Sequence, residues 1–168
     1  MRKGIFPEIK SHTPTSFQDF RGELYTTWKS DEFEKVFGMN LDFVHDKTSV
    51  SRHNVLRGIH GDLKSWKYMA CVYGEIYYVV VDYRDANSPT YKKWDWDILS
   101  SKNRKMLLIP PGFASSFYVT SDLSVVNYKW AYPGNYPDVD DQFTISWNDP
   151  EINIHWPCTN PILSERDA

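Results

Sequence analysis

The sequence predicts an all-β domain, a jelly roll or barrel, with an open β-sandwich as the alternative. Three observations carry this. Short apolar runs rich in β-branched and aromatic residues recur at 69–73, 76–81, 106–109, 117–119 and 124–128. Turn-forming residues part them, at Gly74-Glu75, Pro110-Pro111-Gly112 and Thr120-Ser121-Asp122. Aromatic residues make up 16% of the chain, which suits a sheet core or a pocket that stacks on a flat ring.

In chain order, the first regular element expected is a short helix. Ser30 can cap its start, Asp31 and Glu32 stand in the first turn where the helix dipole favours acid, and Gly38 follows Phe37 as a stop. The two runs flanking Gly74-Glu75 read as a hairpin. The later runs read as three further strands. No repeat, low-complexity tract or linker interrupts the pattern, and 168 residues suffice for one domain with its own core, spanning 1–168.

The net charge of −3 offers no broad basic field for nucleic acid, although a local pocket for a small anion remains open. No segment approaches the ~20 apolar residues needed to span a bilayer, and the start is not followed by the apolar region of a signal peptide, so neither membrane nor secretion is expected. Cys71 and Cys158 are far apart and form no zinc knuckle or disulfide framework, which fits a reducing cytoplasm.

The densest chemistry lies in Asn54-Val55-Leu56-Arg57-Gly58-Ile59-His60. An arginine beside a histidine suggests an anion site joined to a proton-transfer site. In a regular strand Arg57 and His60 point to opposite faces, unless Gly58 carries a bulge. The five histidines, His12, His45, His53, His60 and His155, contain no His-x-His pair, and the interval from His53 to His60 is odd. Two ligands from one strand need alternate positions, so neither a metal nor another cofactor is expected. Lys67, Tyr128 and Lys129 also interrupt apolar runs. Singly, such a lysine is usually a solvated face position and such a tyrosine a core residue with its hydroxyl at the rim. Phosphate loops, nucleophile elbows and reactive-cysteine contexts are absent from the sequence.

Taken together, ordered blocks along nearly the whole chain resemble the dTDP-4-dehydrorhamnose 3,5-epimerase family of cupins. They include Phe17-Gln18-Asp19-Phe20-Arg21-Gly22, Phe43-Val44-His45-Asp46, the segment ending at His60, Gly74-Glu75, Val81-Asp82-Tyr83-Arg84 and Ser88-Pro89-Thr90. They continue through Ile109-Pro110-Pro111-Gly112-Phe113-Ala114, Tyr128-Lys129, Trp147-Asn148-Asp149, Trp156-Pro157 and Leu163-Ser164-Glu165-Arg166-Asp167. The resemblance implies a cupin-type jelly roll with one short N-terminal helix, in a homodimer that exchanges N-terminal strands. It implies a nucleotide-linked 4-keto sugar as substrate and no metal. Carried over, His60 is the base, Asp167 orients it, Tyr128 donates the proton and Lys67 lies near the keto oxygen. Arg57 binds substrate, and Arg21 reaches the nucleotide phosphates from the partner subunit. His45, Lys47, Ser115, Gln142 and Arg166 complete the expected substrate-binding set.

The chemistry agrees with these residue types. A C4 ketone acidifies the hydrogens on C3 and C5, and removing one gives an enolate with its charge on the C4 oxygen. A histidine is a suitable base at neutral pH. An aspartate on its other nitrogen fixes the tautomer. A lysine offers charge to the oxyanion. Inversion needs a proton from the opposite face, the role given to Tyr128.

The chain also departs from the family pattern. Ser115 replaces an active-site histidine, Tyr78 an aspartate, Gly61-Asp62 an aromatic–glutamine pair, and His45-Asp46-Lys47 a Gln-Asp-Asn block. With Cys71-Val72-Tyr73-Gly74-Glu75 and Asp141-Gln142-Phe143-Thr144, these blocks resemble a branch acting on GDP-linked 4-keto-heptoses for capsular polysaccharide. The expected substrate is therefore a GDP-4-keto-heptose, ahead of a dTDP-4-keto-6-deoxyhexose, with inversion at C3, C5 or both. A 3,4-ketoisomerase, a non-catalytic sugar-binding barrel and, more distantly, a metal-dependent cupin oxygenase are the competing readings.

Overall fold

The computed structural model describes residues 4–135 and 138–168. In chain order the elements are β1 (Lys10–His12), β2 (Ser16–Asp19), β3 (Gly22–Tyr25), α1 (Ser30–Phe37), β4 (His45–Arg52), β5 (Leu56–Gly61) and β6 (Trp66–Tyr73). There follow β7 (Glu75–Asp82), β8 (Trp94–Ser100), β9 (Met106–Ile109), β10 (Phe113–Val119), β11 (Leu123–Ala131) and β12 (Phe143–Thr144). Among the described residues they form two five-stranded antiparallel sheets, ordered β1-β9-β6-β11-β4 and β12-β5-β10-β7-β8, with β2-β3 as a separate hairpin. This is the all-β jelly roll with one helix that the sequence predicts.

The apolar runs in β6, β7, β9 and β10 are nearly continuous because both faces of these strands are covered. One face of each sheet meets the other in a core of Met69, Leu107, Ile109, Ile76, Val80 and Phe117, among others. On the outer face of the second sheet, Leu56, Ile59, Val79 and Val81 pack under the C-terminal Ile145 and Ile152. On the outer face of the first, Phe33 and Phe37 of α1 cover Tyr68, Ala70, Met106 and Leu108. Each fully buried aliphatic or aromatic side chain stabilises the fold by about 1.5–3 kcal/mol, so this double covering outweighs any single turn or cap.

Two local expectations are corrected. The helix cap is Lys29, one residue before Ser30, and its side chain makes no capping hydrogen bond, while Asp31 Oδ1 accepts from the Glu32 N–H at 3.0 Å; the acidic first turn and Gly38 are as expected, with Gly38 left-handed and its N–H on Glu34 O. The runs flanking Gly74 do not form a hairpin. β6 pairs with β9 and β11, while β7 pairs with β10 and β8, so the chain crosses between sheets at Gly74. Its φ of 75° and the Leu123 carbonyl 2.1 Å from where a Cβ would stand leave room only for glycine. Residue type marks a turn here, but not which sheet the next strand joins.

The strand that positions the site is β5. Its pairing with β10 sets His60 opposite Ser115 and Arg57 opposite Phe117, three residues against two. β5 therefore carries one extra residue, the bulge that the sequence leaves as a condition. Gly58 supplies it, with φ 113°. Leu56 and Ile59 consequently face the outer core while Arg57 and His60 share the inner side. A Cβ at Gly58 would stand 2.7 Å from Ser115 O and 2.9 Å from Ser116 Cβ. Gly58→Ala should lose roughly 2–4 kcal/mol in urea unfolding, from the backbone conformation and the overlap together. A variant as stable as wild type would show that β5 does not need the bulge.

Candidate active site

The inner faces of the two sheets part at one end around a cavity of about 300 Å³. Arg57, His60, Ser115 and Tyr78 line it from the second sheet, Lys47, Lys67, Met69, Tyr128 and Trp130 from the first, and Gln142, Ser164, Arg166 and Asp167 from the C-terminal segment. Register explains the first-sheet wall. Across β4, β11 and β6, His45, Trp130 and Lys67 form one row, and Lys47, Tyr128 and Met69 the next. Alternate positions on three paired strands put both rows on one face.

His60 Nε2 lies 2.6 Å from Asp167 Oδ1. The other carboxylate oxygen accepts from the Gly58 N–H at 3.3 Å, so the bulge and His60 hold the same aspartate. The C-terminal segment reaches this place because it is pinned beside β5: Ile162 N–H donates to Asn54 O at 2.7 Å, and Leu56 N–H to Ile162 O at 3.0 Å. Burial pushes the Asp167 carboxyl up, but hydrogen bonding and charge from His60, with the Gly58 amide, hold it below the usual carboxylate range. With Nε2 donating to Asp167, His60 is left with Nδ1 as its basic nitrogen.

Lys67 is 5% exposed, and its ammonium is 3.6 Å from Asp62 Oδ2. Burial raises the Asp62 carboxyl, yet the Lys67 charge and hydrogen bonds from Ser65 and Lys64 bring it below its ordinary value. The Gly61-Asp62 departure thus supplies a buried carboxylate to Lys67. Arg57 Nε donates to Ser51 Oγ at 2.9 Å. At the rim, Arg166 donates to Gln142 Oε1 at 3.1 Å and to Thr144 Oγ1 at 3.2 Å. Tyr78 is 1% exposed, and burial pushes its phenol up, so it stays protonated.

The cavity thus gathers His60, Tyr128, Asp167, Lys67, Arg57, Lys47, Ser115, Gln142 and Arg166 as the sequence expects. Two expected residues are not in its lining. His45 is engaged elsewhere: its ring packs 5.4 Å from that of Trp130, and its Nδ1 lies 3.5 Å from the Tyr132 hydroxyl. Arg21 projects on the β2-β3 hairpin beside Asp19, three-quarters exposed. Trp130 is a wall residue that the sequence reading missed; its place two residues after Tyr128 on one strand was the available signal. A smaller cavity of about 120 Å³ lies beyond Tyr78, against β8 and β9. Its Asp97 is held by Lys105 at 2.7 Å and its Asp95 by the Ile5 N–H at 2.8 Å, so these carboxylates serve the fold.

Among the described residues no three His, Cys, Asp or Glu side chains stand together as metal ligands would. No helix among them is long and apolar enough to cross a membrane.

The depressed Asp167 carboxyl sets a pH dependence. A carboxyl with a folded-state pKa below its unfolded value of about 3.9 adds stability above that value and loses it as pH falls through the folded one. Wild type should therefore be more stable than Asp167→Asn at pH 7 and pH 5, with the gap closing below about pH 4 in urea unfolding. A gap that persists undiminished to pH 3 would contradict the pairing.

Residues 5–168 match the dTDP-4-dehydrorhamnose 3,5-epimerase family. An enzyme of that name from Shigella flexneri is 38% identical over 168 residues, 98% of this chain and 91% of its own length. The structure of a dTDP-6-deoxy-D-glucose-3,5-epimerase from Legionella pneumophila, in complex with dTDP-4-keto-L-rhamnose, superposes with a TM-score of 0.88 at 34% identity, covering 97% of this chain and 86% of that one. A 3′-monoepimerase from Streptomyces bikiniensis, in complex with dTDP-quinovose, superposes with a TM-score of 0.86 at 27% identity, covering 95% and 81%. The sheet order, the cavity and these likenesses agree: the chain belongs to the dTDP-4-dehydrorhamnose 3,5-epimerase family.

Proposed function

We propose that the chain epimerises a nucleotide-linked 4-keto sugar at C3, C5 or both, through an enolate. The observation that carries this is the placement of His60 and Tyr128 on opposite sheets around one cavity. His60, oriented by Asp167, takes the proton from carbon next to the ketone. The electron pair moves into the C3–C4 or C4–C5 bond, and the C4 oxygen gains the charge. Lys67 and Arg57 meet that charge. Tyr128 returns a proton to the same carbon from the other face of the ring, which inverts it. Among described lining residues, four cations (Lys47, Arg57, Lys67 and Arg166) face one carboxylate, Asp167, in a chain of net charge −3. That local excess suits a nucleoside diphosphate.

The relatives favour dTDP as the nucleotide, since those named above are dTDP-sugar enzymes. The sequence expectation of a GDP-4-keto-heptose gains no support from them and yields first place to a dTDP-4-keto-6-deoxy sugar. One observation keeps the heptose as the second reading: Ser115, Tyr78 and Lys47, three departures from the family pattern, all lie in the cavity wall.

Incubation in D₂O with each sugar nucleotide, read by NMR, tests the reading. Wild type should place deuterium at C3, C5 or both of the dTDP sugar, and His60→Asn should slow this by ~10²–10⁴-fold. Tyr128→Phe should keep exchange while losing inverted product. Exchange with the GDP-heptose alone would keep the chemistry and reverse the nucleotide; full exchange in His60→Asn would overturn the mechanism.

The active unit is proposed to be a homodimer. Phe20 is 97% exposed at the tip of the β2-β3 hairpin, with Phe17 and Leu24 also exposed. A second copy covering this hairpin would bring Arg21 to its partner's nucleotide. Light scattering at assay concentration should give twice the chain mass of 19.7 kDa, and Arg21→Ala should raise KM. A monomer of full activity would exclude the arrangement.

A further inference from the structure

We propose that Trp130 is a positioning residue that holds Lys47 and Lys67 as a pair of cations facing the substrate, through the π face of its indole. This rests on the reading of the cavity as a nucleotide-sugar site and adds a residue that the resemblance does not assign.

Trp130 lies on β11 directly opposite Lys67 on β6, and diagonally from Lys47, which stands opposite Tyr128 on β4. Its side chain is buried, the residue being 6% exposed. The Lys47 ammonium sits 4.6 Å from the ring centroid and that of Lys67 5.4 Å. The ring also stacks on Tyr128, with centroids 5.9 Å apart and planes at 29°. His45 packs edge-on against it, with centroids 5.4 Å apart and planes at 71°, and so helps to hold the indole in place.

The choice of an indole has a chemical consequence. A carboxylate holds an ammonium by cancelling its charge. An indole holds it by its quadrupole, stays neutral and occupies none of the three N–H donors in a full hydrogen bond. The indole thus positions both ammonium groups without adding a counter-charge of its own. Trp is the best of the aromatic residues for this, and the attraction grows where water is excluded. Asp62 anchors Lys67 from behind, and Trp130 sets the position of its head group together with that of Lys47. The same ring supports Tyr128, so one side chain ties the proposed proton donor to the cations that balance the enolate and diphosphate.

The alternative is that Trp130 only fills space. A set of variants separates the two: Trp130→Phe, Trp130→Leu, Lys47→Met, and Lys47→Met combined with each tryptophan change. Each is measured for kcat/KM on the sugar nucleotide that wild type deuterates, with thermal unfolding alongside. Positioning through the π face predicts that Trp130→Phe loses about 3–5-fold and Trp130→Leu about 30–100-fold. It also predicts that either tryptophan change costs several-fold less in the Lys47→Met background than in wild type, because one of the cations it holds is already gone. Equal losses for Phe and Leu, or losses that multiply unchanged in the Lys47→Met background, would overturn the proposal. Should Trp130→Leu fail to fold, the cycle with Trp130→Phe decides by the same criterion. Wild type that deuterates neither the dTDP nor the GDP sugar would instead overturn the proposed function and this role with it. Wild type that deuterates one of them leaves the variants to judge Trp130 alone.

Discussion

One extra residue in β5 governs the site. A strand alternates its side chains, so Arg57 and His60, three apart, would point to opposite faces. With Gly58 bulged out of register against β10, both turn inward while Leu56 and Ile59 keep the outer core. The bulge also frees the Gly58 N–H from the ladder, and that donor goes to Asp167. A buried amide needs a partner, and here its partner is the residue that orients His60. The inward placement of Arg57 and His60, the proposed anion and proton-transfer groups, and the docking of the C-terminus thus rest on one backbone irregularity, which the close approach of Ser115 and Ser116 restricts to glycine.

The opposing wall is regular. β4, β11 and β6 pair without a break across the Lys47–Tyr128–Met69 and His45–Trp130–Lys67 rows, and their side chains form a flat array of cations and rings. The irregular strand aims the proposed base and the regular sheet presents the proposed acid and countercharges. A sugar between them meets different chemistry on its two faces, as inversion requires.

Much of this was legible in the residues. β9 at Met106–Ile109 matches the apolar run, and α1 ends at the Gly38 stop. Gly58 could be flagged as a condition, because strand periodicity and the Arg–His pairing conflict without a bulge. The failures have physical causes. The Gly74 turn looks like a hairpin because local residues specify a reversal, whereas the sheet a strand joins is decided by packing far along the chain. His45 enters the expected set only through the resemblance, and its ring packs on Trp130 and Tyr132 instead of lining the cavity. Residue type does not single out Trp130, since a tryptophan in a strand is ordinarily core; only the register places two lysines against its face. The nucleotide was not legible either: guanine and thymine both stack on aromatic rings, and the relatives, not the pattern of departures, bring dTDP forward.

The Gly58 bulge turns His60 inward onto Asp167, and the proposed mechanism then needs Nδ1 to take the proton. Long-range ¹H–¹⁵N NMR of the imidazoles in ¹⁵N-labelled protein, with His60→Asn to assign the signal, tests it most directly. The account requires neutral His60 to carry its proton on Nε2, with that tautomer preference lost in Asp167→Asn. A His60 protonated on Nδ1, or one whose signal ignores Asp167→Asn, would contradict it.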